Sequence, residues 1–182
     1  RRAQVDAEAQ RQAAIVAATD GDTVLVAPGT WVEELDYLGK AITVASESGA
    51  AATILANVNS AVTFQNDEGP GSILRGFTVT GNNSGRAAIH GPGTSPRIVQ
   101  CEIRGNRTSF TLAAGVFCDG TLVDCVVEDN HNGNGTGGVA GALTLRRCLL
   151  RGNTGYDGAA ALLLGGGMED CRVLDNSSAE GS

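Results

Sequence analysis

The side chains best suited to acid–base chemistry in this chain of 182 residues are the carboxylates around residues 119–129. Two neighbouring carboxylates can act as general acid and general base, and carboxylate oxygens are also the ligands that calcium prefers. Asp124 and Asp129 are the candidate catalytic residues under this interpretation. His90 and His131 are weaker candidates for catalysis, because neither has a serine or cysteine at the spacing of a nucleophile and its base.

Five cysteines carry the other reactive groups. The sequence has no Cys-x-x-Cys pair and no histidine beside a cysteine, so we predict no metal site. Four of the cysteines recur at intervals of 24, 23 and 23 residues, at Cys101, Cys125, Cys148 and Cys171. Because Phe77 stands one interval earlier, we interpret the series as buried side chains that fill a core. Disulfide bonds, in which Cys118 could take part, are the alternative.

The cysteines belong to a longer repeat. Each is followed by an apolar residue two places on and by asparagine five places on, as in C-E-I-R-G-N, C-V-V-E-D-N, C-L-L-R-G-N and C-R-V-L-D-N. F-T-V-T-G-N precedes them by one interval, and I-L-A-N-V-N from Ile54 is a weaker copy. The asparagines of the clear copies are Asn82, Asn106, Asn130, Asn153 and Asn176. A regular interval of this kind predicts a repeat architecture.

The elements that must position these residues are short strands. Segments rich in Val, Ile, Leu and Thr alternate apolar with polar residues, and Gly, Asn and Asp punctuate them. A period of 23 or 24 residues made of strands and turns predicts one rung, a single circuit, of a parallel β-solenoid. We therefore expect one domain over residues 1–182, with about seven rungs over residues 22–182 stacked at the ~4.8 Å strand spacing.

The two ends of the solenoid are expected to differ. Residues 1–20 include an alanine-rich segment, 7–18, which predicts a helix that caps the first rung. The last residues are polar and offer no equivalent cap, so the C-terminal end is expected to be uncapped. An exposed strand edge can template pairing with another chain, so stacking of copies end to end into a fibre is a further expectation.

Two parts of the sequence resemble a known family. The entry A-A-I-V-A-A-T-D-G-D-T-V-L-V-A-P-G-T-W-V-E and the body segments S-P-R-I-V-Q-C-E-I-R-G-N and G-V-F-C are similar to the right-handed parallel β-helix repeat family of the pectate-lyase-like superfamily. The resemblance is to its secreted and surface-anchored bacterial members. It implies an all-β, single-stranded, right-handed parallel β-helix with an N-terminal capping helix, located outside the cell or at its surface. The enzymes of this family use acidic clusters, often with calcium.

Alignment of the rungs argues against a catalytic role for the carboxylates. One aligned position holds Gln100, Asp124, Arg147 and Asp170, and another holds Arg104, Glu128 and Arg151. Opposite charges that stack in alternation stabilise a parallel ladder, and an arginine neighbour opposes a raised carboxylate pKa. We therefore expect no catalytic residue and no cofactor. A polysaccharide lyase, hydrolase or epimerase, with calcium as its possible cofactor, is the alternative.

The asparagine series has a structural interpretation. Asparagine tolerates the left-handed backbone conformation of a sharp bend, and stacked asparagine side chains can hydrogen-bond along the axis. We therefore expect the asparagines, like the cysteines, to form structural ladders.

The loops that follow the asparagines are the candidate binding surface. They fall near residues 83–86, 107–114, 131–137 and 154–158, and a solenoid would bring them to one corner of successive rungs. Binding residues are often carried on such loops. The candidates are Arg86, Arg107, Phe110, His131, Tyr156 and Asp157. Aromatic and arginine side chains beside Asn and Asp suit a polysaccharide or a surface protein, although variable loops without a ligand would look the same.

Composition excludes two classes of partner. The net charge is −7 and Lys40 is the only lysine, so the electrostatic footprint of a nucleic-acid-binding protein is absent. The longest apolar run, residues 159–164, is too short to span a bilayer. The sequence thus predicts a secreted or cell-surface β-solenoid with a structural or adhesive role. Its expected partner is a second copy of itself, a polysaccharide or a surface protein.

Overall fold

The computed structural model describes residues 2–5, 10–83 and 85–178, and it confirms the predicted all-β parallel β-solenoid. Seven strands, one above the other, form a sheet that we call the second sheet. These strands are Gly29–Trp31, Thr53–Ala56, Thr78–Thr80, Glu102–Arg104, Val126–Glu128, Leu149–Arg151 and Arg172–Leu174. Because each strand belongs to one level, the chain completes about six circuits from the first strand to the last.

The largest sheet, called the long sheet, has 12 strands in two branches. The first branch holds Arg2–Val5, Thr23–Val26, Thr43–Ser46, Ile73–Arg75, Arg97–Val99 and Gly120–Val123. The second branch holds Leu35–Asp36, Val62–Thr63, Ile89–Gly91 and Val116–Cys118. The long strand Val139–Arg146 joins the branches and pairs with Ala161–Glu169. A third sheet of four strands, called the loop sheet, holds Arg107–Thr108, His131–Asn132, Thr154–Gly155 and Ser177–Ser178.

Register in the second sheet places Cys101, Cys125, Cys148 and Cys171 above one another, with Phe77 one rung before them. The weaker copy that starts at Ile54 is misaligned by one residue, because Ile54 pairs with Thr78. Thr53 therefore occupies the position before Phe77, and it is fully buried. A shift of one residue exchanges the two faces of a strand, so Ile54 points to the outside.

The core consists of aligned apolar side chains that the rungs bury between them. Leu74, Ile98, Leu122 and Leu145 form one such column and are all fully buried, as are Val79, Ile103, Val127 and Leu150 in the next sheet. Burial of one such side chain stabilises the fold by about 1.5–3 kcal/mol. Stacking of rungs, rather than any single rung, therefore provides the stability.

Two sharp bends in each rung use residues with a positive φ angle. At the first bend, φ is 53° at Gln100, 54° at Asp124, 52° at Arg147 and 53° at Asp170, each directly before a column cysteine. At the second bend, the left-handed residue is the one before each asparagine, with φ of 54° at Asp129 and 51° at Asp175. The expectation that the asparagines themselves adopt this conformation is therefore wrong. The preceding Gly or Asp makes the bend, and the asparagine only has to bond across rungs.

The first rung is covered by the helix Gln10–Ala17, whose Ile15 is fully buried. Lys40 Nζ donates hydrogen bonds to the carbonyl oxygens of Ile15, Val16 and Ala18 at 2.7, 2.6 and 2.8 Å. The carbonyl oxygen of Ile15 also accepts a long hydrogen bond from the Ala18 amide, at 3.3 Å. Because the last carbonyls of a helix lack amide partners one turn further on, the lysine caps this helix end. No helix among the described residues has both the length and the apolar character needed to cross a membrane.

The predicted helical segment 1–20 is not helical throughout. Arg2–Val5 is a strand that pairs in parallel with Thr23–Val26 and so satisfies a backbone edge that would otherwise be open. Residues 6–9, where the predicted segment 7–18 begins, lie outside the described residues.

In the last described rung, an inward position that is buried in the preceding rung is partly exposed. Val173 is 48% exposed, whereas Leu150, directly before it in the stack, is fully buried. Leu174 is 39% exposed in the same strand.

Candidate functional site on the loop edge

The loops near residues 83–86, 107–114, 131–137 and 154–158, which we call the loop edge, stack on one another. The loop sheet pairs Arg107 with His131, His131 with Thr154 and Thr154 with Ser177. A bridge joins Asn83 to Arg107, and Thr136 bridges Ala113 on one side and Gly158 on the other. The three later loops are thus held at both ends by backbone pairing, which gives their side chains fixed positions.

The first cleft on this edge has a volume of about 290 Å³ and brings together Arg107, His131 and Phe110. Asn83, Gly85, Thr108 and Ser109 complete its lining. Arg107 is exposed, and within the part of the chain that the structure describes it forms no ion pair. Its guanidinium is therefore available to an anionic ligand.

A second cleft, of about 510 Å³, shares Phe110 and Ser109 with the first and is also lined by Phe117, Leu112 and Asn134. Phe110 is 83% exposed, so its ring forms a wall shared by both clefts. The loop that carries it is fixed from the next rung, since Asn134 Nδ2 donates to the carbonyl oxygen of Ser109 at 2.6 Å. Asn132 Nδ2 donates in the same way to the carbonyl oxygen of Thr111 at 2.8 Å.

Arg86 lies in a third cleft, of about 440 Å³, which is lined by Glu34, Asn59, Ser60 and Gly85 as well. Gly85 also lines the first cleft, so the two are neighbours. The arginine shares its cleft with a carboxylate, whereas Arg107 does not. The basic character of the edge is therefore greatest around Arg107 and His131.

Tyr156 and Asp157 lie farther along the stack and line none of these three clefts. The Tyr156 amide donates to the carbonyl oxygen of Gly135 at 2.8 Å, and its side chain is 44% exposed. Of the six predicted binding residues, the structure thus groups Arg107, Phe110 and His131 around one cleft.

Sequence reasoning missed Phe117 and gave His90 no role. The register pairs Thr63 with His90 and His90 with Phe117, all on the outer face of the long sheet. The rings of His90 and Phe117 meet edge to face, with 5.7 Å between centroids. Burial lowers the pKa of His90, and the charge of Arg86 lowers it further. The spacing of 27 residues between Thr63, His90 and Phe117 is the signal in the sequence that could have placed them together.

The candidate catalytic carboxylates are not brought together. Asp124 and Asp129 lie at opposite ends of the strand Val126–Glu128, and each occupies a left-handed bend. Arg147 donates to Asp124 from Nε at 2.7 Å and from Nη2 at 3.0 Å, and these hydrogen bonds lower the pKa of Asp124. Arg151 Nε donates to Glu128 at 2.6 Å. A carboxyl with a lowered pKa is a poor general acid at neutral pH.

Asp129 lines a cleft of about 330 Å³ together with Glu128, Arg104 and three residues of the earlier rungs. Asp124 is not part of that cleft. Glu128 is paired there with Arg151, whereas Arg104 lies 3.9 Å from Glu102 of its own strand, so the predicted alternation of charges is formed only in part.

The cysteine column consists of free thiols that contact the backbone of the preceding rung. Cys125 Sγ lies 3.4 Å from the carbonyl oxygen of Ile98, and Cys148 Sγ lies 3.6 Å from that of Leu122. Burial raises the pKa of Cys101 to about 11 and also raises that of Cys118 and Cys125. Among the described residues, no group of three or more His, Cys, Asp or Glu side chains is placed to hold a metal ion.

Comparisons of the chain with protein-family models, with curated proteins and with solved structures find no match. The parallel solenoid therefore rests on the structure itself, and membership of the pectate-lyase-like superfamily stays a prediction.

Proposed function

We propose that this chain is a non-catalytic β-solenoid module with a structural and adhesive role, and that the loop edge is its binding surface. The observation that carries the proposal is the cleft of about 290 Å³ in which Arg107, His131 and Phe110 meet on a stacked backbone. The sequence resemblance to secreted and surface-anchored members of the pectate-lyase-like superfamily supports a location outside the cell or at its surface.

The chemistry of the cleft favours an acidic polysaccharide as the ligand. A guanidinium recognises a carboxylate by paired hydrogen bonds, and an aromatic ring such as Phe110 offers an apolar face to a sugar ring. Asn83 and Ser109 add amide and hydroxyl groups for sugar hydroxyls. A chain with a net charge of −7 gains specificity for an anion only where basic groups are concentrated, as they are here.

Binding without turnover is favoured because the carboxylates that an enzyme would need already have structural roles. Asp124 is paired with Arg147, Glu128 is paired with Arg151, and Asp129 forms a bend. A lyase, hydrolase or epimerase is the competing candidate. Incubation with polyuronides, with and without calcium, distinguishes the two, since turnover that disappears in Asp124→Ala or Asp129→Ala supports the enzyme.

The binding experiment compares two exposed arginines. Retention of the protein on an immobilised polyuronide and on a neutral glucan is measured for the wild type, for Arg107→Ala and for Arg97→Ala. Arg97 is exposed on the long sheet, away from the loop edge, and serves as the matched control. We expect Arg107→Ala to weaken polyuronide binding at least about fivefold, equivalent to about 1 kcal/mol, with Arg97→Ala unchanged.

Two results would contradict the proposal. One is an absence of retention of the wild type on any acidic polysaccharide. The other is an equal loss in both variants, which would indicate that overall charge, rather than the loop edge, is responsible.

End-to-end association of copies stays a prediction. Sedimentation of the purified chain over a range of concentrations tests it, and a particle that remains monomeric throughout would show it to be wrong.

A further inference from the structure

The loop edge contains two Asn-Gly pairs, Asn132-Gly133 and Asn134-Gly135, and the sequence has no others. In such a pair the backbone nitrogen of the glycine can attack the side-chain amide carbon of the asparagine and close a five-membered succinimide ring. Glycine favours this step, because it has no side chain to crowd the attacking nitrogen and its backbone adopts many conformations. Both pairs can therefore deamidate, and their surroundings decide which of them reacts.

Hydrogen bonds protect the first pair. The Gly133 amide donates to the carbonyl oxygen of Thr108 at 2.9 Å, so the attacking nitrogen is already engaged. Asn132 is fully buried, and its Nδ2 donates to the carbonyl oxygen of Thr111 at 2.8 Å. Its Oδ1 accepts a hydrogen bond from the Asn134 amide at 3.1 Å. Ring closure at Asn132 would disturb all three bonds.

The second pair has a single restraint. Asn134 is exposed, and its Nδ2 donates to the carbonyl oxygen of Ser109 at 2.6 Å. Within the described part of the chain, the Gly135 amide donates no hydrogen bond. Release of one exposed hydrogen bond therefore frees the Asn134 side chain to turn toward a nitrogen that has no acceptor.

Close packing keeps glycine at position 135. A Cβ atom there would lie 2.8 Å from Asn132 Nδ2 and from the carbonyl oxygen of Thr111, and 2.9 Å from that of Leu112. Non-bonded atoms are best packed at about 3.5–4.0 Å, so only glycine fits. The reactive pair at Asn134 thus follows from a packing requirement of the loop.

We propose that Asn134 is a modification site that converts spontaneously to aspartate and isoaspartate in the folded protein, while Asn132 is preserved. The Gly135 nitrogen bonds to Cγ of Asn134, the Cγ–Nδ2 bond breaks, and the departing nitrogen takes up the Gly135 proton and leaves as ammonia. Water then opens the succinimide ring. Attack of water at Cγ gives aspartate, attack at the backbone carbonyl carbon gives isoaspartate, and nothing is oxidised or reduced.

Conversion changes the loop edge in two ways. A carboxylate has no N–H group to donate, so the hydrogen bond to Ser109 that fixes the loop of Phe110 is lost. A negative charge also enters the cleft that Asn134 shares with Phe110, next to the cleft of Arg107. Both changes weaken the binding of an anionic ligand, and they are irreversible. This effect on binding rests on the proposed function, whereas the modification itself does not.

The experiment follows both asparagines in the full chain. One sample is incubated folded at mildly alkaline pH, at which the glycine nitrogen loses its proton more readily, and a second sample is incubated in urea. Samples taken at intervals are digested with pepsin in acid, and mass spectrometry locates the change from amide to acid. In the folded protein we expect Asn134 to convert at least about tenfold faster than Asn132, which reacts only when the loop opens. In urea the two should convert at similar rates.

Two variants at the same exposed position separate the modification from its effect. Asn134→Gln keeps the amide but would have to close a six-membered ring, so position 134 should stay unconverted. Asn134→Asp carries the product charge from the start and should be retained on immobilised polyuronide at least about twofold less than Asn134→Gln. Circular dichroism checks that both variants fold, as expected for changes at an exposed side chain.

Two results would overturn the proposal: no conversion of Asn134 in the folded protein under conditions that convert it in urea, or equal rates at Asn132 and Asn134 in the folded protein. Equal retention of Asn134→Asp and Asn134→Gln, with normal binding of the wild type, would overturn the effect on binding. Failure of the wild type to bind any polyuronide would contradict the proposed function and leave the measured deamidation unaffected.

Discussion

In each of the later rungs, the asparagine column is followed directly by the loop edge, and the two regions obey different rules. The column keeps one residue type and repeats its bonds, as when Asn106 Nδ2 donates to Asn130 Oδ1 at 2.9 Å and Asn130 Nδ2 donates to Asn153 Oδ1 at 3.0 Å. The loop sheet beside it changes residue at every level, from Arg107 to His131 to Thr154. The same backbone stacking thus supports a region fixed by buried bonds and a region free to carry recognition.

The largest loss of unfolding free energy is expected for a substitution in the apolar core. Leu122→Ala removes a fully buried side chain and should lower the free energy of unfolding by about 2–5 kcal/mol through lost burial and a cavity. Leu112→Ala, on the loop edge, removes a side chain that is 39% exposed and should cost less than about 1 kcal/mol. Urea unfolding of both variants checks this. Equal losses would show that the loop edge is as tightly packed as the core.

The asparagine column and the loop edge are also expected to differ in how much stability is lost when an asparagine is replaced. The Asn130 side chain donates two hydrogen bonds and accepts two from Asn106, all buried. Asn130→Ala should therefore cost about 2–3 kcal/mol, because partner groups are left unsatisfied in the interior. Asn134→Ala loses one exposed bond to Ser109 and should cost about 0.5–1 kcal/mol. Thermal and urea unfolding measure the stability of both variants. Equal losses in Asn130→Ala and Asn134→Ala would contradict the expected difference between the asparagine column and the loop edge.

A smaller effect is expected at the bend before the column. Asp129 has a φ of 54°, and the same position holds Gly105 and Gly152 in neighbouring rungs. Asp129→Val should cost about 1–2 kcal/mol, because a β-branched residue is strained in the left-handed region. Asp129→Gly should leave stability within about 0.5 kcal/mol of the wild type. If Asp129→Gly were as damaging as Asp129→Val, the carboxylate would have a role beyond the bend.

The smallest effect concerns the exposed ion pair between Asp124 and Arg147. The pKa of Asp124 is held below its ordinary value of 3.8 chiefly by hydrogen bonds from Arg147, so its contribution to stability is present above that pH. The contribution is lost as the pH falls through the lowered pKa. The difference in Tm between wild type and Asp124→Asn should be small near neutral pH and should vanish in strong acid. A difference that grows in acid would contradict this sign.

The core and the ladders could be predicted from the sequence because the same residue types return at a fixed interval. Apolar content alone does not align a rung: 24 residues separate Ile54 from its partner Thr78, the same interval as between Thr78 and Glu102, yet the copy that starts at Ile54 is out of register by one residue. The strand Arg2–Val5 could not be predicted, because its stability comes from the edge of Thr23–Val26 rather than from its own composition.

The candidate site was less predictable than the fold. The loops could be assigned to one corner, but which side chains share a cleft depends on how each loop folds between its paired ends. Asn132 and Asn134 determine the path of the loop that carries Phe110, and this path brings Phe110 close to Phe117. Tyr156, with a similar position in its own loop, is left outside the clefts.

Acylation of the single lysine, Lys40, depends on the helix that covers the first rung. Because Lys40 Nζ is bonded to three carbonyl oxygens at the end of the helix Gln10–Ala17, an acylating reagent can reach a free lone pair on this nitrogen only when the helix end separates from it. The rate at which an activated ester labels this side chain therefore reports how often the covering of the first rung opens. After labelling, the Lys40 side chain ends in an uncharged amide, so the ammonium group that held the helix end in place is lost.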